Sequence, residues 1–441
     1  MELMYLNTIW VVIAAAMVLF MEGGFCLLEA GFIRTKNAVN VTMKIFVDLT
    51  IGILAFWIIG FGLMYGKDVV GLFGISLFGN PQHIDLSISL PSAAFVLFQM
   101  GFAVASVSIV SGAVAERMTF KAYIVTVALI CMIAYPMSGH WIWNENGWLA
   151  QLGMKDFAGS AAIHALGGCI ALAIAKKLGA RKGRYHADGS TTVFAPSNIP
   201  LASAGAFILW FGWFAFNAGS TLDASNTSLA SIALNTLLAG ASGGAAAMLL
   251  AMKKFGNADP SMTINGVLAG LVAITASCAY VSQWSAIIIG LCSGIIVIYA
   301  MRFIDRMKVD DPVGAIAVHA FNGVFGTIAV GLFDRTAGLF TTGHLHLLFV
   351  QLLGAVVVVI WGLLSGTAIA NICAHTVGLR ATAREEEEGL DMTYHGIPAY
   401  NDLELLNDFS TNLYDFEQTT GITVAPPRTT KVVPKTPLPS K

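Results

Sequence analysis

Two histidines, His164 and His319, stand in segments that copy one another. The first reads Asp156-Phe-Ala-Gly159-Ser-Ala-Ala162-Ile-His164-Ala165-Leu-Gly-Gly168. The second reads Asp311-Pro-Val-Gly314-Ala-Ile-Ala317-Val-His319-Ala320-Phe-Asn-Gly323, and 6 of the 13 positions agree. Both lie in apolar runs, where a polar side chain is costly and two related by a repeat are hard to read as packing residues. Desolvation disfavours the charged ring, so two imidazoles that meet in such a setting are expected neutral and joined by one hydrogen bond. One nitrogen donates and its partner accepts, and the outward nitrogens can relay a proton or hold a small polar solute. A metal centre is the rival chemistry. It is weakened because no cysteine or carboxylate shares that depth in the two segments.

For the rings to meet, particular elements must lie beneath them. A helix rises ~1.5 Å per residue, so the eight residues from Asp to His carry each ring ~12 Å inward, and two helices entering a ~30 Å hydrocarbon core from opposite faces bring both rings near its middle. That geometry asks for an inverted repeat, which places a binding or conduction path at its interface. The remaining chain supplies the helices. Of 441 residues 56% are hydrophobic and 11% charged, far too few charges to cover a surface that faces water. Apolar runs long enough to span lipid fall near 8–31, 40–65, 92–115, 122–142, 157–178, 199–219, 229–252, 262–280, 284–303, 313–333 and 346–374. Basic residues set the orientation. Arg34, Lys36, Arg117, Lys121, Lys176, Lys177, Arg181, Lys182, Arg184, Lys253, Lys254, Arg302, Arg306 and Lys308 fall in odd-numbered loops, against Lys67, Lys155 and Arg335 in even-numbered ones. The expected fold is all-α integral membrane: eleven transmembrane helices, a 5+5 inverted repeat plus a final helix, N-terminus outside and C-terminus inside, in a plasma or inner membrane. The domain reading is a membrane domain over 1–375, a cytoplasmic regulatory segment over 376–400 and a disordered cytoplasmic tail over 401–441.

Other features exclude function classes. A net charge of −2 gives no reason to expect nucleic acid as a partner. The six cysteines lie in apolar stretches without a CxxC pair, so they read as small packing residues and not as a disulfide or zinc framework. The 45 glycines let membrane helices approach closely. Glu2 precedes the first apolar run where a signal peptide would carry basic residues, so that run is expected to be retained as a helix.

With these residues in place, the chain resembles the ammonium transporter family (the Amt, Mep and Rh superfamily), specifically its Amt branch. The motifs that carry the resemblance begin with Asp156-Phe-Ala-Gly-Ser-x-x-Ile-His164, which runs on to Lys176-Lys-Leu-Gly-Ala-Arg181. Gly31-Phe-Ile-Arg-Thr-Lys-Asn37, Phe98-Gln-x-x-Phe102, Ala113-Val-Ala-Glu-Arg117, Gly212-Trp-Phe-Ala-Phe-Asn-Ala-Gly-Ser220, Gly266–Thr275 and Asp310-Asp-Pro312 leading to His319 complete the set, over roughly residues 8–400. The resemblance implies a homotrimer with one pore per subunit, no cofactor and no enzyme activity. It also implies an outer recruitment site for NH4+ at Phe102, Trp143 and Ser220, an outer gate of stacked rings at Phe102 and Phe216, and electrostatic support from Asp156. His164 and His319 become the pore and proton relay. Aromatic faces that attract a cation and a hydroxyl that accepts an N–H bond suit the recruitment role. Ordinary packing is the plain alternative for these aromatics, for Phe98 as readily as any role, and an interfacial belt is the alternative for Trp143. Helix capping is the plain account of Asp156, alongside its field, and the preferred one for Asp310 and Asp311. The tail segment Gly389–Tyr400 resembles the family's regulatory motif, with Ile397-Pro398 where an acidic residue is usual, and a PII-type signalling protein is the implied partner.

Remaining polar residues have bland readings. Glu29 is expected to pair with Arg34, and Glu22, deep in the first helix, to serve as a structural hydrogen-bond node. Glu385–Glu388 is expected to form a solvated helical face, and His344 and His346 to be solvated. Three rival functions are an ammonium sensor of the same fold that signals through its tail, a neutral ammonia channel of the Rh type, and an iron-dependent membrane enzyme. The last would need clustered histidine boxes that 9 scattered histidines do not supply.

Overall fold

The computed structural model describes residues 1–81, 84 and 89–400. Runs this apolar can satisfy their backbone groups in lipid only by coiling, and they form helices. Nine are long and apolar enough to cross a membrane among the described residues. They are α1 (Glu2–Phe32), α2 (Thr35–Tyr65), α3 (Ser92–Ala113), α4 (residues 120–143), α5 (Ser160–Leu178), α6 (Ile199–Ala218), α7 (Leu229–Phe255), α9 (Gln283–Arg306) and α11 (His346–Thr376). The two remaining apolar runs form shorter helices, α8 (Pro260–Ile274) and α10 (Ala317–Phe333). Each helix stands where the apolar pattern expected one. Polar side chains start several: Thr119, Asn198, Asp259 and Ser282 each accept a first-turn amide. Between α2 and α3 a short hairpin pairs β1 (Asp68–Val69) with β2 (Phe73–Gly74). Phe207, Phe211, Phe349, Val356 and Leu364 are exposed on helix exteriors, which is the surface a multi-pass membrane protein turns to lipid.

Glycine brings the helices together. A Cβ at Gly31 or Gly205 would strike the backbone of the facing helix in the α1–α6 pair, and the same holds at Gly243, Gly270, Gly290 and Gly294 among α7, α8 and α9. The repeated segments meet in the same way. A Cβ at Gly168 would fall on the backbone of Ala320, and one at Gly323 on that of Ala165. Residues 165 and 168 thus face 323 and 320 in reverse order, the reciprocal contact of a two-fold relation between antiparallel helices.

Residues Met1–Ile397 pack as one unit, which includes most of the segment after α11. There α12 (Ala383–Glu388) opens with a capping box between Thr382 and Glu385, and α13 (Leu390–His395) follows. The Asp391 carboxylate accepts the amides of Val39 (3.1 Å) and Asn40 (2.7 Å), and Leu390 donates to Asn37 (2.9 Å). The glutamate run meets the solvated-face expectation at Glu387 and Glu388, which are exposed, and corrects it at Glu386. Glu386 is buried and accepts from the Lys182 amide (2.5 Å) and Arg380 (2.8 Å), because the run lies against the basic loop after α5. Asp310 corrects another, since it caps nothing and pairs with Arg181 (2.7 Å). Burial works to raise its pKa, but the Arg181 hydrogen bond and the Arg117 charge hold it down at about 2. Glu29 does not pair with Arg34, which bonds Glu116 instead, and Glu29 accepts from Ser111 (2.8 Å). His344 and His346 are exposed. The disordered-tail reading of 401–441 falls outside the described residues.

Candidate conduction site

Each repeated segment opens with the same device. The Asp156 carboxylate accepts the amides of Gly159 (3.1 Å), Ala161 (3.0 Å) and Ala162 (2.9 Å). Asp311 accepts those of Ala315 (3.0 Å) and Ile316 (2.8 Å). The chain turns through Gly159 (φ 111°) and Gly314 (φ 81°), a left-handed conformation that explains why glycine recurs three residues after each Asp. Both helices then start as π turns, Ser160–Ala165 and Ala317–Phe321. Each histidine sits inside one, as is common at functional sites.

The rings meet. His319 Nδ1 lies 3.2 Å from His164 Nδ1, with ring centroids 5.1 Å apart, and both residues are buried. Two nitrogens at that separation hold a single hydrogen between them, which leaves each Nε2 for other work. His164 Nε2 is buried and has no partner among the described residues. Its ring stacks on Trp213 (5.3 Å) and Phe216 (5.6 Å), each at 24°. Trp213 is fixed by a hydrogen bond to Thr275 (2.9 Å).

Beyond Phe216 the aromatics continue. Phe102 lies 4.4 Å from Phe216, tilted by 45° where a stacked pair was expected, 6.0 Å from Trp143 and 4.6 Å from Phe98. Phe98, Phe102, Trp143 and Ser220, with Gln99 and Tyr65, line one cavity of about 190 Å³. Ser220 donates its hydrogen to the Phe216 carbonyl (2.7 Å), so its lone pairs remain for a donor. The Trp143 indole donates to the backbone carbonyl of Asp156 (2.7 Å), which ties the cavity wall to the start of α5. The Asp156 side chain, bound to three amides, does not line the cavity. On the other side of the pair, His319 lines a cavity of about 20 Å³ with Glu29, Ser108, Asn265 and Val313.

Sequence reasoning named the two histidines, Phe102, Trp143, Ser220, Phe216 and Asp156, and all of these fall in this one connected region. It missed Trp213, although a Trp three residues before Phe216 shares its helix face. It also missed Ser108 and Tyr123, which bind the carboxylates of Glu22 and Asp48.

A bundle of apolar helices with two bonded imidazoles in its interior, an aromatic cavity on one side and a smaller cavity on the other, defines a multi-pass membrane protein. The particular family follows from comparison: the Ammonium Transporter Family matches residues 9–400, and the chain belongs to it. It is 42% identical over 414 residues to "Ammonium transporter Amt2" of Archaeoglobus fulgidus, covering 89% of this chain and 87% of that protein. It is 40% identical over 399 residues to a putative ammonium transporter of Synechocystis sp., covering 89% and 88%. Among solved structures it is similar to one titled "Sensor Amt Protein", with a TM-score of 0.84 at 39% identity over 90% of this chain and 100% of that one. The crystal structure of Saccharomyces cerevisiae Mep2 superposes with a TM-score of 0.76 at 25% identity, over 86% and 88%. The family is one of transporters and not of enzymes.

Proposed function

We propose that the protein moves ammonium across a plasma or inner membrane, through a passage that runs past the bonded pair His164–His319. That pair, at 3.2 Å with aromatic rings stacked on one side, is the observation that carries the reading. The nine long helices and two shorter apolar ones support eleven spans, and the reciprocal contacts of α5 and α10 support a 5+5 inverted repeat. The placement of basic residues supports an outer N-terminus and an inner C-terminus.

In this reading NH4+ enters the 190 Å³ cavity, held by the faces of Phe102 and Trp143 and by the free lone pair of Ser220. A bare cation cannot go further into an apolar passage. The ion gives up a proton, NH3 passes when the Phe102 and Phe216 rings part, and the imidazole pair offers hydrogen bonds at the centre. Asp156 acts indirectly, because it holds the first turn of α5 and, through its carbonyl, Trp143. The protein assembles as a homotrimer, each subunit with its own passage, and the segment 376–400 is a regulatory strap at which a PII-type protein acts. The two sequence relatives, both named as ammonium transporters, favour transport over sensing, against one solved structure titled as a sensor.

The test is an ammonium pulse on purified protein in proteoliposomes on a solid-supported membrane, together with methylammonium uptake. Ammonium-dependent current and uptake are expected, and replacing both histidines with alanine is expected to change ion selectivity. Transport intact and equally selective in that variant would remove the role assigned to the pair, and uptake without current would point to neutral conduction.

A further inference from the structure

Three carboxylates lie buried inside the helix bundle, one of them, Glu29, in the cavity that His319 also lines, and the transport reading leaves them unused. Glu22, Glu29 and Asp48 are each at most 2% exposed, and carboxylates this deep are costly unless they do something. The Ser108 hydroxyl lies 2.7 Å from Glu22 Oε2, 3.0 Å from Asp48 Oδ2 and 3.0 Å from the Val104 carbonyl. A hydroxyl has one hydrogen and faces three acceptors here, so at least one of the two carboxyl groups must itself hold a proton and donate it to Ser108. Tyr123 completes the cluster, bonded to Asp48 at 2.8 Å. Lys44 is fully buried with its amine 5.2 Å from the centre of the Tyr123 ring and, among the described residues, without a hydrogen-bond partner. An orphan donor at such a place marks a water or exchange position.

The cluster opens onto the passage. Ser108 and Glu29 line the same 20 Å³ cavity as His319, room for about one water molecule. We propose that Glu29, and behind Ser108 the pair Glu22–Asp48, carry the proton that ammonium gives up, beside the route of neutral ammonia. The inference rests on the transport reading above. The proton that NH4+ gives up in the outer cavity reaches the imidazole pair as the Phe102 and Phe216 rings part, and NH3 follows. The charged pair returns to neutral as its proton passes, through one water in the cavity, to a carboxylate of the cluster. That carboxyl releases a proton towards the end of α1 next to Arg34, where NH3 takes one up from water. Only N–H and O–H bonds break and form, and the charge moved per ammonium is one.

The experiment measures, in the same proteoliposomes, the charge moved per molecule of methylammonium taken up. Glu29→Gln is expected to lower that ratio about tenfold or more, as loss of a proton-transfer group does, whereas a merely structural defect lowers current and uptake together and leaves the ratio alone. Ser108→Ala, which removes the bridge without touching a carboxylate, is expected to shift the ratio in the same direction and carries the test if Glu29→Gln fails to assemble. Infrared spectra of the resting wild-type protein are expected to show the carbonyl stretch of a protonated carboxyl that disappears in Glu22→Gln/Asp48→Asn. A wild-type ratio in both single variants overturns the proposal, and so does uptake by the wild type with no charge movement. A wild type with neither uptake nor current sinks the transport reading itself.

Discussion

Ser220 has already committed its hydrogen to a backbone carbonyl, so it meets an incoming cation only as an acceptor. Ser220→Ala removes that acceptor and leaves the aromatic faces. A hydrogen bond to a charged group contributes about 1.5 kcal/mol, so the half-saturating ammonium concentration should rise about tenfold. The maximal current should change little, because the lost contact binds the ion before the slow step. Saturation curves in proteoliposomes check this, and an unchanged midpoint would place the ion elsewhere. At this scale the sequence was legible where a residue type is expensive. Two histidines in matching apolar segments declare themselves, and Glu22 was rightly read as needing a partner. Trp213 did not declare itself, because an aromatic in a membrane helix is common and only coordinates show which ring it covers. Glu29 was assigned to Arg34 by nearness along the chain. In space Ser111, near the end of α3, takes the one while Glu116, just beyond it, takes the other.

The helices were legible one by one, since hydrophobic length is a one-dimensional property. Their interruptions were not. The π turns that hold the histidines depend on how Gly159, Gly314 and the capping aspartates share amides, which no apolar average records. The crossing of α5 and α10 depends on Gly168 and Gly323, and this gives a paired expectation. Gly168→Val and Gly323→Val each drive a side chain into backbone, at a cost of about 3 kcal/mol, and the two-fold relation makes the costs similar. Thermal unfolding in detergent should show comparable losses. One variant silent while the other collapses would break the reciprocal account of the crossing.

Over the whole molecule, composition and basic-residue placement were enough to expect a membrane protein, and motif order was enough to expect its family. The strap after α11 was legible as a segment resembling the family's regulatory motif, but its contacts were not. Glu386 looks solvated until the basic loop beneath it is in place, because Lys182 lies 204 positions away along the chain. One hold of the strap is Asp391 on the first amides of the helical part of α2. Asp391→Ala removes a cap worth about 1 kcal/mol. The amides of Val39 and Asn40 should then exchange with solvent about fivefold faster, while those of α3 stay protected. Unchanged exchange at both amides would show that the strap is held from elsewhere.

The crossing of the two repeated helices has one more consequence. Its contacts are palindromic: read from either leaflet, a traveller meets an aspartate-capped turn, a π turn, an imidazole and then the mirror sequence in reverse. A centre built this way has no forward gear. In the proposed transport, net flow follows the ammonium and proton gradients, while the rings that cover His164 and the acid that shares a cavity with His319 set only how fast each step runs.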